Sequence, residues 1–379
     1  MARNDLAGAR QLADPVWGGI YQYSTHGDWA HPHYEKLGQI QADYLRMFAL
    51  GYAAFRDPAD LATMRQLHAY LRGFLLSPDG AFYTSQDADV KPGEKATRYF
   101  KLSDQARRRE GIPRVDRHIY ARENGLIATA LVAAYLATDD RDMLDDARQA
   151  VGFIMKHRGI PGGGYSHDEQ DVAGPYLADN LAMLRAFLAL HGATGERVWL
   201  RQAMDTARFI EGHFTRDDAP GYLGAPLDGP LAPVRSIDEN LALARAANLL
   251  FRYSGDAAFK TMAESAMRYL ASPQVALSRI SDHSILLASH ELANDPVHIT
   301  VVGHRDDRLA QALFRAAAGW PSNYKRVEWW DVREGPMPNP DVAYPQLPRS
   351  AAFLCTDGRC SLPLFSVQAL LAGIRDAQD

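Results

Sequence analysis

The sequence has little of what marks several large classes of protein. Its 379 residues include two cysteines, so a small scaffold held by disulfides is excluded. The longest apolar stretch, residues 125–137, is shorter than the roughly 18–20 residues of a membrane span. Acidic residues outnumber basic ones by 46 to 41, so the concentrated basic face that binds nucleic acid is not expected. These absences predict a soluble globular protein with neither a nucleic-acid nor a membrane partner.

Familiar catalytic motifs are also missing. The chain has no P-loop, no Rossmann glycine fingerprint, no nucleophile elbow and no HExxH sequence. We therefore expect no cofactor and assign no metal ligands. The first 17 residues carry several charges and lack the apolar core of a signal peptide. With so few cysteines, this favours a cytoplasmic protein.

What the chain does contain is an internal repeat. Three segments open with Asn, continue as an Ala/Leu-rich run with helical spacing, turn at a short polar sequence and close with an amphipathic run. These segments are residues 124–154, 180–214 and 240–270. A fourth, less regular copy covers residues 39–76, with its turn at Arg56-Asp57-Pro58. Each copy is predicted to be a pair of antiparallel helices.

The fold class follows from how such hairpins bury their apolar sides. One hairpin cannot do so alone, so the copies must stack. The first helices are almost wholly apolar and the second carry more charge, which predicts an inner ring of helices inside an outer ring. Long loops rich in Gly, Pro, Tyr, Asp and His would meet at one end of this ring. The prediction is a mainly helical α/α toroid, with its site in those loops.

The C-terminal part has a different pattern. Residues 297–303 (VHITVVG) and 326–332 (RVEWWDV) are predicted strands, and residues 351–355 are a third short one. A helical stretch, residues 307–318, lies between the first two. We therefore predict a toroid over residues 1–295 and a small β-α-β appendage over residues 296–379.

The densest group of aromatic and polar residues, 18–36, directly precedes the first inner helix. Pro32 favours an extended conformation at His31, so His31 and His33 are expected on the same side of a strand. With Glu35 nearby, they could act as general base and acid, hold a metal, or anchor a long loop by hydrogen bonds. The residues alone leave these alternatives open.

Two other polar groups are candidates. Asp87 and Asp89 alternate in a segment expected to be extended, where they could form an acid/base pair, cap a helix or bind a structural cation. An acidic residue followed by Asn opens three repeat helices: Glu123-Asn124, Asp179-Asn180 and Glu239-Asn240. N-capping is the simpler interpretation of these pairs, and lining a central funnel is the other.

The two cysteines, Cys355 and Cys360, are five positions apart near the end of the chain. This spacing suits a disulfide-closed hairpin, half of a zinc site or two free thiols. A zinc site needs about two more ligands, and no residues are clearly spaced to supply them.

Several segments resemble the YyaL-like family, to which spermatogenesis-associated protein 20 belongs. Residues 18–36 are similar to its segment GG-F-x-R-Y-S … W-x-x-P-H-F-E-K. Further similar segments are residues 77–83 (SPDGAFY), 87–89 (DAD), 124–126 (NGL), 176–179 (YLAD) and 355–363 (C-x4-C-x-x-P). Together these segments span nearly the whole chain.

That resemblance implies a fold and a field of chemistry. Proteins of the family pair a thioredoxin-like domain with a six-hairpin toroid, which is similar to glycosidases and N-acylglucosamine 2-epimerases. This chain departs from the pattern: the thioredoxin-like domain is not found, four hairpins are clear, and the sequence is expected to start after the first. Gln22, His26 and Glu123 stand where the family has Arg, Asp and Trp.

Two hypotheses of function result. The first is a sugar epimerase, isomerase or glycosidase-like enzyme for a small saccharide, with His33 as general base and Glu35 or Asp87 as partner acid. The expected substrate-binding residues are Tyr23, Trp29, His31, Tyr83, Asp89, Asn124 and Asp179. The alternative is a non-catalytic interaction module that works with a thioredoxin-like partner protein, which the departures from the family pattern favour.

Overall fold

The computed structural model describes residues 1–376 apart from positions 92, 94, 95, 217, 231, 280, 281, 357 and 358. Most of the described chain is helical. The helices are α1 (Ala2–Ala9), α2 (Gly38–Phe55), α3 (Pro58–Tyr70), α4 (Ala96–Phe100), α5 (Asp104–Glu110), α6 (Ala121–Thr138), α7 (Arg141–His157), α8 (Leu177–Thr194), α9 (Arg197–His213), α10 (Ile237–Ser254), α11 (Ala257–Leu270), α12 (Pro273–Ser278), α13 (Ser284–Ala293), α14 (Arg308–Gly319) and α15 (Val367–Asp376).

The strands are short except near the C-terminus. They are β1 (Tyr23–Ser24), β2 (Pro32–His33), β3 (Lys36–Leu37), β4 (Ser85–Gln86), β5 (Val115–Asp116), β6 (Gly159–Ile160), β7 (Gly164–Tyr165), β8 (Val297–Val302), β9 (Lys325–Trp330), β10 (Ala351–Thr356) and β11 (Arg359–Cys360). Three further single turns of helix are Arg10–Leu12, Leu71–Leu75 and Val332–Glu334.

The four predicted helical hairpins are confirmed as α2/α3, α6/α7, α8/α9 and α10/α11. In each hairpin two residues form the turn, and each of the two positions has the same role in all four hairpins. The first residue ends one helix in the left-handed conformation: Arg56, Asp139, Gly195 or Gly255. The second precedes the next helix: Asp57, Asp140, Glu196 or Asp256. The three aspartates cap their helices by accepting a backbone N–H bond two residues on, so short-range chemistry sets these turns.

The predicted contrast between the two helices of a hairpin is clearest in α8 and α9. Helix α8 buries 13 of its 18 residues, whereas α9 buries 6 of its 17. A helix that is buried nearly all round needs neighbours on every side, and an amphipathic helix needs them on one. The composition of each helix therefore matches how much of it is covered.

Two compact units make up the chain: Met1–Gly159 with Tyr165–Asp171, and Ile160–Gly164 with Val172–Asp379. Within the first unit, α2 packs against α3 and α6, and α6 packs against α7. Within the second, α8 packs against α9 and α10, and α10 also packs against α11 and α13. The domain boundary predicted between residues 295 and 296 stays a prediction.

The C-terminal strands form one sheet with the order β11-β10-β8-β9. Strands β8 and β9 are parallel and joined by α14, which packs on both, as the sequence pattern predicts. Strand β10 runs antiparallel to β8. Cys355 and Cys360 face each other across β10 and β11 and are joined by a disulfide. Of the three alternatives for this pair, the structure therefore has the disulfide-closed hairpin.

None of the described helices combines the length and the apolar character that crossing a lipid bilayer requires.

Candidate active site

The long loops before three of the hairpins are each fastened by one side-chain amide. Gln41, the fourth residue of α2, accepts from the N–H of Ile20 (2.6 Å) and donates to its carbonyl (2.8 Å). Asn124, the fourth residue of α6, pairs in the same way with Phe82 (2.7 and 3.0 Å). Asn240, the fourth residue of α10, does so with Tyr222 (2.7 and 2.9 Å). An amide can satisfy both groups of a buried peptide, so one residue holds each loop.

The N-capping interpretation of the repeated Asn residues is therefore wrong. The residues at the N-cap positions are Tyr120, Tyr176 and Ser236, and each Asn lies inside the first turn. Asn124 is fully buried, with all its observed side-chain hydrogen bonds going to backbone groups. Asp179 is buried as well. The substrate-binding roles expected for Asn124 and Asp179 stay predictions.

Several of the other predicted residues lie at the ends of a small sheet in the first unit. Its strand order is β3-β4-β5, and Lys36 pairs with Gln86, which also pairs with Val115. Glu35 directly precedes Lys36, and Asp87 directly follows Gln86. The antiparallel register therefore brings Glu35 and Asp87 to one end of the sheet. The opposite end leads into the N-terminus of α2. The predicted residues thus fall at both ends.

The predicted base, His33, lies at the end of the sheet that holds Glu35. Its ring stacks on Tyr23, its partner across β1 and β2, with ring centroids 5.2 Å apart. Its Nε2 is 3.5 Å from a carboxylate oxygen of Glu35. Three residues singled out by the sequence are therefore in contact, although Tyr23 is exposed and the two charged groups are only partly covered.

His31 and His33 have different neighbours, and their expected position on the same side of a strand stays a prediction. His31 places Nδ1 2.6 Å from Asp28 Oδ2, and its ring is 4.6 Å from that of His26. Trp29 lies in the same loop, where its indole is directed at Gly8 of α1. His26, Asp28 and His31 form a compact group of metal-ligating residue types.

The Asp87 segment is also not extended as expected. Strand β4 ends at Gln86 and the chain bends at Ala88. The N–H of Asp89 donates to Asp87 Oδ1 (3.3 Å), and the N–H of Asp87 donates to the carbonyl of Arg114 (2.8 Å). The Asp87 side chain thus closes a local turn. The acid/base role of the two aspartates stays a prediction.

The opposite end of the small sheet carries a cluster that the sequence reasoning missed. Tyr120, the N-cap residue of α6, is nearly parallel to two imidazoles: His118 at 5.6 Å and His167 at 4.0 Å between ring centroids. Gln39 and Arg122, from the first turns of α2 and α6, are joined by a hydrogen bond of 2.7 Å. Two helix N-termini and the loop with His167 therefore meet here, and we call these five residues the Tyr120 cluster.

Carboxylates surround the Tyr120 cluster. Burial raises the pKa of Tyr120, and the negative charges of Asp116, Asp168 and Glu123 raise it further. Asp116 Oδ1 lies 2.5 Å from Nδ1 of His118. Burial would raise the pKa of Asp116, but the hydrogen bonds from the side chain and backbone of His118, together with the charges of His118 and Arg114, outweigh it, so this pKa is lowered. The arrangement combines imidazoles, carboxylates and an aromatic face, which is what acid/base chemistry on a small polar molecule requires.

One predicted residue, Tyr83, can be placed near this end of the sheet. Tyr83 directly precedes Thr84, whose hydroxyl donates to the carbonyl of His118 (2.9 Å). The Tyr83 ring lies under the guanidinium of Arg117 at 5.9 Å. The sequence signal for this cluster is composition, because the loops containing His118 and His167 are rich in His, Asp and Tyr. No local spacing joins residues about 50 positions apart.

A second missed cluster is buried. Lys36 donates to Asp14 (2.8 Å) and to the carbonyl of Gly18 (2.7 Å), while Arg107 binds both oxygens of Asp14 (2.6 and 3.0 Å). All three side chains are inaccessible to solvent. Aromatic faces surround them, with Lys36 Nζ 4.4 Å from the ring centroid of Tyr70. We call Asp14, Lys36 and Arg107 the buried charge cluster.

The electrostatics of the buried charge cluster reflect one negative and two positive groups. Burial lowers the pKa of Lys36 to about 8, although the charge of Asp14 opposes this change. Burial would raise the pKa of Asp14, but the hydrogen bonds from Arg107 and the charge of Lys36 outweigh it, so this pKa is lowered. The cluster joins the N-terminal segment, β3 and α5, so we assign it to holding the first unit together.

Comparisons with known proteins agree with this architecture. No family model matches the chain. Over 183 residues it is 24% identical to spermatogenesis-associated protein 20 of Rattus norvegicus, a match that covers 48% of this chain and 20% of that protein. The matched region is thus about a fifth of the length of that relative.

Solved structures resemble a larger part of the chain. The cellobiose 2-epimerase of Spirochaeta thermophila DSM 6192 is similar with a TM-score of 0.54 and 19% identity, over 71% of this chain and 69% of that one. A glycoside hydrolase family 76 mannosidase of Bacteroides thetaiotaomicron VPI-5482 is similar with a TM-score of 0.52 and 13% identity, over 72% and 71%. These likenesses confirm the predicted fold class: the chain has the α/α-toroid fold of six-hairpin glycosidase-like proteins.

Proposed function

We propose that the Tyr120 cluster binds a small saccharide and that its two imidazoles transfer protons in an epimerisation or isomerisation of that sugar. The observation that carries this proposal is the position of Tyr120 beside both His118 and His167. The Tyr120 ring stacks on both imidazoles and so holds their planes nearly parallel beside the bound sugar. The imidazoles supply proton donors and acceptors whose ordinary pKa lies close to neutral pH.

The chemistry requires a base and an acid at one carbon. Epimerisation beside a carbonyl removes a C–H proton and returns a proton to the opposite face of the same carbon, so it needs two groups or one mobile group. In this proposal the carboxylate of Asp116 accepts a hydrogen bond from Nδ1–H of His118 and leaves Nε2 free to take the proton. His167 then donates a proton to the opposite face of the same carbon. No redox partner is consumed.

The same fold occurs in a cellobiose 2-epimerase and in a mannosidase, so the fold alone does not choose between proton transfer and hydrolysis. Glycoside hydrolysis uses two carboxyl groups on either side of the scissile bond. Carboxylates surround the Tyr120 cluster as well, but the groups in contact with its aromatic ring are imidazoles, and Asp116 is bound to one of them. This difference favours an epimerase or isomerase. The partial match to spermatogenesis-associated protein 20 also supports kinship with the YyaL-like family.

Exchange of a sugar's C–H proton with solvent tests the proposal directly. The purified chain is incubated in D2O with D-mannose, D-glucose, cellobiose and N-acetyl-D-glucosamine, and loss of the C2 proton signal is followed by proton NMR. We expect exchange with at least one sugar, and a decrease of about 10²–10⁴-fold in its rate for His118→Gln and for His167→Gln. His304→Gln, an exposed histidine of the second unit, is the matched control.

Three results would contradict the proposal. Exchange that persists in both cluster variants would remove the imidazoles from the mechanism. Exchange lost in His33→Gln alone would return the site to the residues that the sequence analysis singled out. Release of reducing sugar from an α-mannoside, without C2 exchange, would make the chain a hydrolase.

The interaction module remains the alternative. The leucines Leu277, Leu286 and Leu287 of α12 and α13 are exposed in the second unit, and a partner protein such as a thioredoxin-like one would cover apolar residues of this kind. A cooperatively folded chain that exchanges no proton and cleaves no glycoside would favour this alternative.

A further inference from the structure

The loop that joins β1 and β2 brings three potential metal ligands together. His26, Asp28 and His31 each offer one ligand atom, and these atoms lie within 4.8 Å of one another. In the part of the chain that the structure describes, no other three His, Cys, Asp or Glu residues form such a group. All three side chains are exposed, so an ion from solution can reach them.

Hydrogen bonds within this loop already hold the ligands in place. Asp28 Oδ1 accepts from the hydroxyl of Ser24 (3.0 Å) and from the N–H groups of Ala30 (3.0 Å) and His31 (3.2 Å). The other oxygen of Asp28 faces Nδ1 of His31 at 2.6 Å. On the opposite side, Thr25 Oγ1 is 2.9 Å from Nδ1 of His26. Partners of this kind orient imidazoles in metal sites.

We propose that His26, Asp28 and His31 bind one divalent transition-metal ion. Two imidazoles and one carboxylate suit Zn²⁺, Ni²⁺ or Cu²⁺, whereas Ca²⁺ and Mg²⁺ prefer oxygen ligands. The ion replaces the hydrogen bond between Asp28 and His31. Two atoms bound to zinc at about 2.1 Å are about 3.0–3.4 Å apart, so the present 2.6 Å has to open by less than about 1 Å. Three protein ligands leave a position for water.

This site is separate from the proposed sugar site. Its residues belong to the β1–β2 loop, whereas the Tyr120 cluster lies at the N-termini of α2 and α6. A loss of sugar chemistry in the Tyr120 variants would therefore leave metal binding intact, and the two proposals fail independently. From the sequence, one alternative for His31, His33 and Glu35 was a shared metal ion. The loop instead pairs His31 with His26 and Asp28.

Calorimetric titration of the chelator-treated full chain with zinc chloride tests the site. We expect one ion per chain, and an affinity at least about tenfold weaker in His26→Ala, in His31→Ala and in Asp28→Asn, because even losing an outer partner of a ligand costs roughly 10–100-fold. His304→Ala removes another exposed histidine that faces an aspartate, Asp331, and is expected to leave the titration unchanged. Thermal melting of each variant verifies that it folds.

Absence of zinc binding by the folded chain would overturn the proposal. Binding of equal strength in the wild type and in the three loop variants would also overturn it, because the ion would then lie elsewhere. An equal loss in His304→Ala would show scattered surface histidines instead of a built site.

Discussion

Two polar clusters each include residues of the segment 26–36, and their surroundings give them opposite characters. The β1–β2 loop holds His26, Asp28 and His31 in water. Lys36, a few residues later, is buried with Asp14 and Arg107, and its side chain is inaccessible to solvent. Both clusters contain an aspartate, which is exposed at Asp28 and buried at Asp14. Burial, and not residue type, therefore separates groups free to take a ligand from groups that hold the fold.

Charge balance explains how the buried cluster is tolerated. Two cations face one carboxylate, which leaves an excess positive charge in a region without water. The ring of Trp17 lies 4.9 Å from the guanidinium of Arg107, and other aromatic faces line the same space. The electron-rich faces of aromatic rings attract cations and offset part of the lost hydration. In the β1–β2 loop, solvent water hydrates the charged groups instead.

The largest expected effect comes from removing the carboxylate of the buried charge cluster. Asp14→Asn leaves Lys36 and Arg107 buried without a counter-charge, so we expect the free energy of unfolding to fall by about 3–5 kcal/mol. Urea denaturation followed by tryptophan fluorescence measures it, and Trp17 contacts the cluster directly.

Lys36→Met is the matched control for that change. It removes one cation, preserves the Asp14–Arg107 pair and fills a similar volume, so we expect a clearly smaller loss than for Asp14→Asn. Equal losses in the two variants would mean that packing, and not charge pairing, governs the cluster.

The second effect is a dependence of stability on pH. Lys36 has a pKa of about 8 in the folded chain, below its ordinary value, so the unfolded chain binds more protons above pH 8. Stability contributed by this group therefore rises with pH, by up to about 2 kcal/mol between pH 8 and 10. Above pH 10 the trend reverses, because burial raises the pKa of Tyr21, Tyr70 and Tyr99 and the unfolded tyrosines ionise first.

Urea denaturation at pH 7, 8, 9 and 10 measures this rise as a difference between wild type and Lys36→Met. The variant is expected to lose the contribution of Lys36. Lys325→Met is the comparison in the second unit: Lys325 is also buried, with a pKa lowered to about 7, so this variant is expected to lose a rise that begins about one pH unit lower. An identical pH dependence in wild type and Lys36→Met would show that Lys36 does not titrate in this range.

The smallest effect is expected in the exposed loop. Asp28→Asn replaces a solvent-exposed carboxylate whose partners are also in water, so we expect no measurable change in the urea midpoint. A large loss of stability would show that this loop supports the fold as the buried charge cluster does, and the contrast between the two regions would fail.

Much of the helical architecture could be predicted from the sequence because its signals are local. Asp139-Asp140 and Gly255-Asp256 place a left-handed residue beside an N-cap, and apolar spacing marks the helices on either side. The role of Gln41 was not predicted. It stands where the later repeats carry Asn, and only its bonds to Ile20 show the equivalence.

The site was harder to predict because it depends on contacts between distant loops. His33 and Glu35 are neighbours in sequence, and their contact was expected. His118 and His167 meet at Tyr120 from loops separated by the whole α6/α7 hairpin. The bend after Gln86 likewise changed the environment of Asp87 and Asp89. Each miss concerns a partner that no local pattern specifies.

The sequence by itself determined the four helical hairpins, their turns and the three longer C-terminal strands, because these depend on residues within a few positions of one another. Tertiary structure alone decided which polar groups became buried and which stayed in water. Asp14 and Arg107 are 93 positions apart, and their bond exists only because the N-terminal segment and α5 pack together. Desolvation depends on everything that surrounds a group, and that is a property of the folded chain.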